Sequence, residues 1–182
     1  MKAGHRAWQL FAYPEAQQHF ERAAELRDRI TSPDAPPYFE LLRRAAQSAR
    51  YAGDIRGAVA HLRRALAATG AECEPLTLGA LHGELSESLW MHGRGDESLD
   101  ASDRSLEILP SEPTRERAEA LGWRSRVFML LGRYDEAIVV GREAVEVARG
   151  VDARVELCRA LNSLGTSLAL SLIHISEPTR PY

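Results

Sequence analysis

The side chains best suited to metal binding are scattered along this sequence. The six histidines, at positions 5, 19, 61, 82, 92 and 174, form no HExxH pattern, no pair four residues apart and no cluster with cysteine. Cys73 and Cys158 fit no metal-ligand spacing either. We therefore expect no metal site and no disulfide, and we interpret both cysteines as reduced thiols, with Cys158 partly buried in a helix.

Nucleophilic and acid–base chemistry has no better support. Ser125 and Ser163 have no base nearby in the sequence, and carboxylates such as Glu136 and Glu143 stand beside arginines on helix faces that should be solvated. A phosphate-binding GxxxxGK[ST] loop is excluded because the only lysine is Lys2. The sequence therefore predicts a protein that is not an enzyme and that holds no cofactor.

Composition restricts which partners the protein is expected to bind and in which cell compartment it is expected to lie. The net charge is −3, so no basic field favours direct nucleic-acid binding. No apolar run approaches the roughly 20 residues that span a bilayer, and the N-terminus lacks the apolar stretch of a signal peptide. We expect a cytoplasmic protein without a membrane segment. The near-exclusive use of arginine among the 23 basic residues suggests a GC-rich, bacterial coding sequence.

Internal repetition is the strongest signal. Four segments, at 12–26, 53–67, 93–110 and 132–148, align on a turn followed by apolar or small residues at steps of three, seven and ten. In the last segment these are Tyr134, Ala137, Gly141 and Ala144, which share one helical face. The turn glycines Gly53, Gly93 and Gly132 lie 40 and 39 residues apart.

A second helical pattern precedes each turn glycine, at 40–52, 78–92 and 118–131. Glycine at that point favours the left-handed conformation that ends a helix, and Asp54, Asp96 or Asp135 can cap the next helix or lie in its positive first turn. The unit is therefore helix A, tight turn, helix B and loop. We predict an all-α superhelix of αα-hairpins, with about four and a half repeats of roughly 40 residues in units at 1–31, 38–70, 77–110 and 114–150 and a half unit at 153–169.

These motifs resemble the tetratricopeptide repeat (TPR). Its B-helix signature is matched by Gly132, Tyr134, Ala137 and Ala144, and again in the second unit, whereas serines replace the usual small residues in the third. The period is longer than the 34 residues of the standard repeat. The resemblance implies a non-enzymatic solenoid that binds a protein or peptide partner.

The longer unit also resembles the helical repeat region of large bacterial LuxR-type transcriptional regulators. In that family an ATPase domain precedes the repeats and a helix-turn-helix domain follows them. The resemblance implies an interaction or sensor module that contacts a partner or other domains of a parent chain. A free-standing TPR adaptor is the alternative, and a segment of a cyclase-linked or other ATPase-linked signalling protein is a further one.

The TPR register places A-helix side chains in a concave groove. It implies partner contacts for eight residues, namely Arg43, Gln47, Tyr51, Glu87, Trp90, Trp123, Arg126 and Asn162. Exposed aromatic and arginine side chains dominate binding energy at interfaces. Trp90 and Trp123 could instead pack between neighbouring repeats, and the sequence leaves both possibilities open.

The fifth unit has only an A helix. Its Leu157, Leu161, Leu164 and Leu168 lack a B helix to cover them, so we expect self-association through this face. From Leu170 to Arg180 the sequence resembles a translated transposase sequencing adapter. We therefore interpret 170–182 as a non-native, disordered tail and the chain as a fragment.

Overall fold

The fold is a series of antiparallel helices, seen in a computed structural model that describes residues 2–27, 35–70 and 73–176. Nine helices and no strand occur within these described ranges. They are α1 (Lys2–Gln9), α2 (Tyr13–Glu25), α3 (Tyr38–Ala52), α4 (Ile55–Ala67), α5 (Pro75–Met91), α6 (Gly95–Ile108), α7 (Arg115–Leu130), α8 (Tyr134–Gly150) and α9 (Arg154–Ser176).

Odd-numbered helices are the A helices and even-numbered helices are the B helices. Each packs on the next along the chain, and α7 also packs on α5 and α9, which are its neighbours one repeat away. The predicted all-α superhelix of αα-hairpins is confirmed. None of the helices in the described part of the chain combines the length and apolar character of a membrane span.

Each A-to-B turn contains one residue whose backbone has a left-handed conformation. Gly53, Gly93 and Gly132 have φ angles of 87°, 79° and 74°. In the last of these turns, the amide of Arg133 donates to the carbonyl of Phe128 at 2.9 Å. The predicted role of these glycines is confirmed, because L side chains are strained at such angles. The first turn has Phe11 at this point, with φ of 59°.

The aspartates after these turns act in both predicted ways. The Asp54 carboxylate accepts a 2.8 Å hydrogen bond from the amide of Gly57 and caps α4. Asp96 and Asp135 lie in the first turns of α6 and α8 without capping them. A negative charge there still favours the helix, since unpaired amides make that end positive.

Small side chains let the two helices of a hairpin approach closely. Gly141 of α8 faces α7 and α9, where an added Cβ would lie 2.8 Å from Ser125 Oγ and 3.3 Å from Leu164 Cβ. Ser125 Oγ also donates to the Ala137 carbonyl at 2.8 Å. This serine is thus buried, and its hydroxyl joins α7 to α8.

The third hairpin keeps the same packing despite its divergent sequence. Ser98, Ser102 and Ser105 occupy the small-residue positions of α6, and all three are buried. Ser105 Oγ donates to the Gly79 carbonyl at 2.8 Å, and Ser98 Oγ donates to the Ser86 carbonyl at 2.8 Å. The hydroxyls of Ser98 and Ser105 are tolerated at these buried positions because carbonyls of the partner helix accept their hydrogen bonds, whereas Ser102 Oγ is buried without a hydrogen-bond partner among the described residues.

The C-terminal helix differs from the prediction in its length and in the exposure of Cys158. α9 continues to Ser176, so 170–176 is helical where a disordered tail was predicted, while 177–182 lie outside the described residues. No proline interrupts the segment before Pro178, and helices usually end at or before the residue preceding a proline. Cys158 is exposed rather than partly buried.

The apolar face of α9 is only partly uncovered. Leu157 and Leu164 pack against the core formed with α7 and α8, contrary to the prediction that all four leucines lack cover. Leu161 and Leu168 remain 43% and 39% exposed. The division arises because α8 covers one side of α9, and only the opposite side would face a further repeat.

Candidate interaction groove

A groove opens between the A helices α5, α7 and α9. It encloses about 860 Å³, including space open to solvent. We call it the A-helix groove; its lining consists of Ala80, Gly83, Glu84, Glu87, Ser105, Glu116, Ala118, Glu119, Ala120, Gly122, Trp123, Arg126, Glu156, Arg159 and Ser163. Of the eight residues predicted to contact a partner, Glu87, Trp123 and Arg126 line it.

Two of the predicted residues hold α3 against α5. Arg43 Nε donates to Glu84 Oε1 at 2.8 Å, and Gln47 Nε2 donates to the same oxygen at 3.0 Å. Arg50, one turn further along α3, pairs with Glu87. These contacts join residues about one repeat apart, and they hold α3 beside α5 in the row of A helices.

Trp123 combines the two possibilities that the sequence left open. Its indole lines the groove, and its Nε1 donates to Ser86 Oγ at 3.0 Å, which ties α7 to α5. Trp90 is half-buried beside the A-to-B turn, where an added Cβ on Gly95 would lie 3.7 Å from Trp90 Cζ3. Trp90 is not part of the groove lining.

The remaining predicted residues lie elsewhere on the surface. Tyr51 is 55% exposed and stacks on Tyr13, with ring centroids 5.1 Å apart, beside Trp8. Asn162 is exposed on α9, and its backbone carbonyl accepts a hydrogen bond from Thr166 Oγ1. Neither Tyr51 nor Asn162 contributes to the groove.

The sequence predicted Asn162 as the α9 residue in this groove and missed Glu156 and Arg159, which line it. Glu156 is 3% exposed at its side chain and accepts a 2.9 Å hydrogen bond from Arg115 Nε of α7. Arg159 follows three residues later and lies 3.6 Å from Glu119. The spacing of Glu156 and Arg159 places them on one helical face, which was the available signal.

Carboxylates crowd one end of the groove. Although 58% of the Glu119 side chain stays exposed, partial desolvation by the groove wall raises the pKa of Glu119, and the negative charges of Glu84 and Glu156 raise it further, while Arg159 opposes them. Burial alone would lower the pKa of Arg43, but the attraction of Glu84 raises it. A cation is therefore electrostatically favoured near Glu119.

Among the described residues, no group of three or more histidines, cysteines and carboxylates could hold a metal ion. Burial lowers the pKa of His82, and Arg104 contributes to the shift. Ser163, the other serine considered as a nucleophile, is buried in the groove wall.

Comparisons with known proteins agree with this architecture. Two family models, both described as tetratricopeptide repeat, match residues 4–69 and 43–113. No curated protein matches the sequence. Similar solved structures include three repeat proteins.

A Podosopora anserina kinesin light chain with nearly identical TPR-like repeats is 16% identical, with 97% of this chain and 95% of that chain covered and a TM-score of 0.66. BtubC (BKLC) from P. vanneervenii is 10% identical, with coverages of 98% and 81% and a TM-score of 0.69. MamA is 15% identical, with coverages of 97% and 99% and a TM-score of 0.62. These similarities concern the fold alone, and through residues 4–113 the chain belongs to the tetratricopeptide repeat family.

Proposed function

We propose that this chain is a non-enzymatic interaction module whose A-helix groove binds a segment of a partner protein. The observation that carries the proposal is the composition of the groove wall. Trp123 and Arg126, of the residue types that dominate binding energy at interfaces, lie there beside glycines and alanines that leave room for a ligand.

A random peptide library displayed on phage, selected on the immobilised chain, tests this proposal. Selected peptides should bind the Arg126→Ala variant at least about fivefold more weakly, as expected for the loss of one arginine contact. Arg142→Ala is the matched control, because Arg142 is also exposed but lies on α8 outside the groove. Peptides that lose no affinity with either variant would show that the groove is not the binding surface.

For the biological setting we infer a transcriptional regulator of the LuxR type as the parent protein, with the module in the cytoplasm. The support is the resemblance of the long repeats and the preference for arginine over lysine. Coding sequence for a P-loop ATPase upstream and a helix-turn-helix domain downstream is the expected finding. A repeat region bounded on both sides by its own start and stop codons would exclude this parent.

A free-standing adaptor is the second candidate, and an ATPase-linked or cyclase-linked signalling protein the third. The coding sequence on either side of the repeats separates all three. The same sequence tests the proposed adapter origin of 170–182: native codons continuing the repeat in place of Leu170–Arg180 would support it, and the identical sequence in the genome would refute it.

A further inference from the structure

An acidic, an aromatic and a basic side chain form a stripe along α7 in the groove. Glu119, Trp123 and Arg126 are spaced i, i+4 and i+7, so they share one helical face, and all three line the groove. At 1.5 Å per residue, about 10 Å separates the first from the last along the helix axis. An acid, an aromatic ring and a base therefore follow one another along the groove.

The basic end of this stripe has an available guanidinium. Arg126 is exposed and makes no hydrogen bond or ion pair with any residue in the described part of the chain. Other arginines around the groove are paired, Arg43 with Glu84, Arg50 with Glu87 and Arg115 with Glu156. Arg126 can therefore bind a carboxylate without first breaking an ion pair.

At the acidic end of the stripe, the negative charge of Glu119 is poorly balanced by cations of the chain itself. Glu119 lies within the influence of Glu84 and Glu156, and its nearest cation, Arg159, stays 3.6 Å away with both side chains more than half exposed. Such an ion pair is weak in solvent. A basic side chain from a ligand would reduce the repulsion among these three carboxylates.

Trp123 lies in the middle of the stripe, and its ring is held in one orientation. The hydrogen bond from its Nε1 to Ser86 Oγ orients the ring, and Gly122 and Gly83 in the lining add no side chain beside it. A preoriented aromatic surface binds an apolar side chain at a low entropic cost.

We propose that the A-helix groove selects a partner segment that carries a basic and an acidic side chain on either side of an apolar one. The basic side chain lies against Glu119, the apolar one against Trp123 and the acidic one against Arg126. The charges of the segment stand about 10 Å apart, which corresponds to seven residues of helix or three of an extended strand. This inference rests on the proposed function and adds the charge order of the ligand.

Reversing the charges of the stripe tests the inference. A displayed peptide library is selected in parallel on the wild-type chain and on the double variant Glu119→Arg/Arg126→Glu. Asp135→Arg/Arg142→Asp is the matched control, because both residues are exposed on α8, also seven apart, and lie outside the groove. Circular dichroism confirms that each variant keeps its helical content.

Wild-type selections should yield peptides with opposite charges flanking an apolar residue. These peptides should bind the groove variant about tenfold more weakly, since two attractions become repulsions, while synthetic peptides with exchanged charges should regain binding to it. Peptides that need Arg126 but keep their affinity when Glu119 alone is reversed would overturn the charge order and leave the groove as the binding site. Peptides indifferent to both residues would refute the proposed function as well.

Discussion

Trp123 of α7 donates a hydrogen bond from its indole Nε1 to the hydroxyl of Ser86 on α5, at 3.0 Å. Ser86 Oγ in turn donates to the Ser98 carbonyl of α6 at 2.7 Å. One serine therefore connects the groove wall with both helices of the preceding hairpin. The orientation of this groove-lining ring therefore depends on a buried polar contact behind the groove wall.

Replacing Ser86 with alanine should lower stability. The substitution leaves the Trp123 N–H without its acceptor and removes the Ser86 donor from the Ser98 carbonyl. An unsatisfied buried polar group costs about 1–3 kcal/mol. Urea unfolding followed by circular dichroism measures the change. Ser111→Ala is the control, because Ser111 is exposed between α6 and α7. Equal unfolding midpoints for the two variants would contradict a structural role for the Ser86 hydroxyl.

Two glycine-to-alanine substitutions should have opposite effects. Gly132 has a φ of 74°, where an alanine costs roughly 1–2 kcal/mol. Gly165 lies within α9, and an added Cβ there has no neighbour within 4 Å. Gly165→Ala should therefore stabilise the protein by up to about 1 kcal/mol through helix propensity. Thermal unfolding of both variants checks the difference, and destabilisation by Gly165→Ala would show an unrecognised contact on α9.

The sequence was sufficient for features that recur in most repeats, although the first turn has Phe11 where the others have glycine. Turn glycines, the small-residue face of each B helix and the order of helices follow from local spacing, and the structure agrees with all three. Even the serine-rich third hairpin keeps this packing, because the Ser98 and Ser105 hydroxyls bond to carbonyls of the partner helix.

The sequence did not predict which side chains contact one another across repeats. Trp90 and Trp123 were both predicted to contact a partner, yet of the two only Trp123 lines the groove. Whether an arginine is paired, like Arg43, or free, like Arg126, depends on helix rotation and rotamers rather than on residue type. The end of α9 was misplaced because 170–182 was interpreted as a disordered tail from its resemblance to an adapter, and the origin of a segment does not determine its backbone conformation.

The pH dependence of stability should reveal the crowded carboxylates. The pKa of Glu119 is raised from its ordinary value of 4.5, first by burial, so its ionisation disfavours the folded state. Its favourable contribution is present at low pH, where it is protonated, and is lost as pH rises through the folded-state pKa. Glu119→Gln should therefore stabilise the protein at pH 7 and have no effect at pH well below 4.5.

Glu136→Gln provides a control of opposite sign for that experiment. The hydrogen bond from Arg133 lowers the pKa of Glu136. Its contribution is present above the unfolded-state pKa and is lost as pH falls through the lower folded-state value. Thermal unfolding across the pH range should show destabilisation by Glu136→Gln at pH 7, and the same sign for both variants would contradict the assigned causes.

The ion pair between Arg115 and Glu156 should matter more than ion pairs at the surface. The Glu156 carboxylate is almost fully buried, so Arg115→Gln removes the cation that compensates it. Arg104→Gln is the control, since Arg104 and Glu107 are 67% and 59% exposed. A clearly lower unfolding temperature is expected only for Arg115→Gln, measured by differential scanning calorimetry. Matching temperatures would mean that Glu156 is compensated by another group.

Self-association should depend on the uncovered side of α9. Leu161 and Leu168 are 43% and 39% exposed, and clustered exposed leucines favour association between copies. Sedimentation velocity should show an average mass that rises with concentration for the wild type and less so for Leu161→Gln/Leu168→Gln. Val139→Gln is the control, because Val139 is 69% exposed on α8, away from this face. A wild-type chain that stays monomeric throughout would show that the α9 face is too small to hold a second copy.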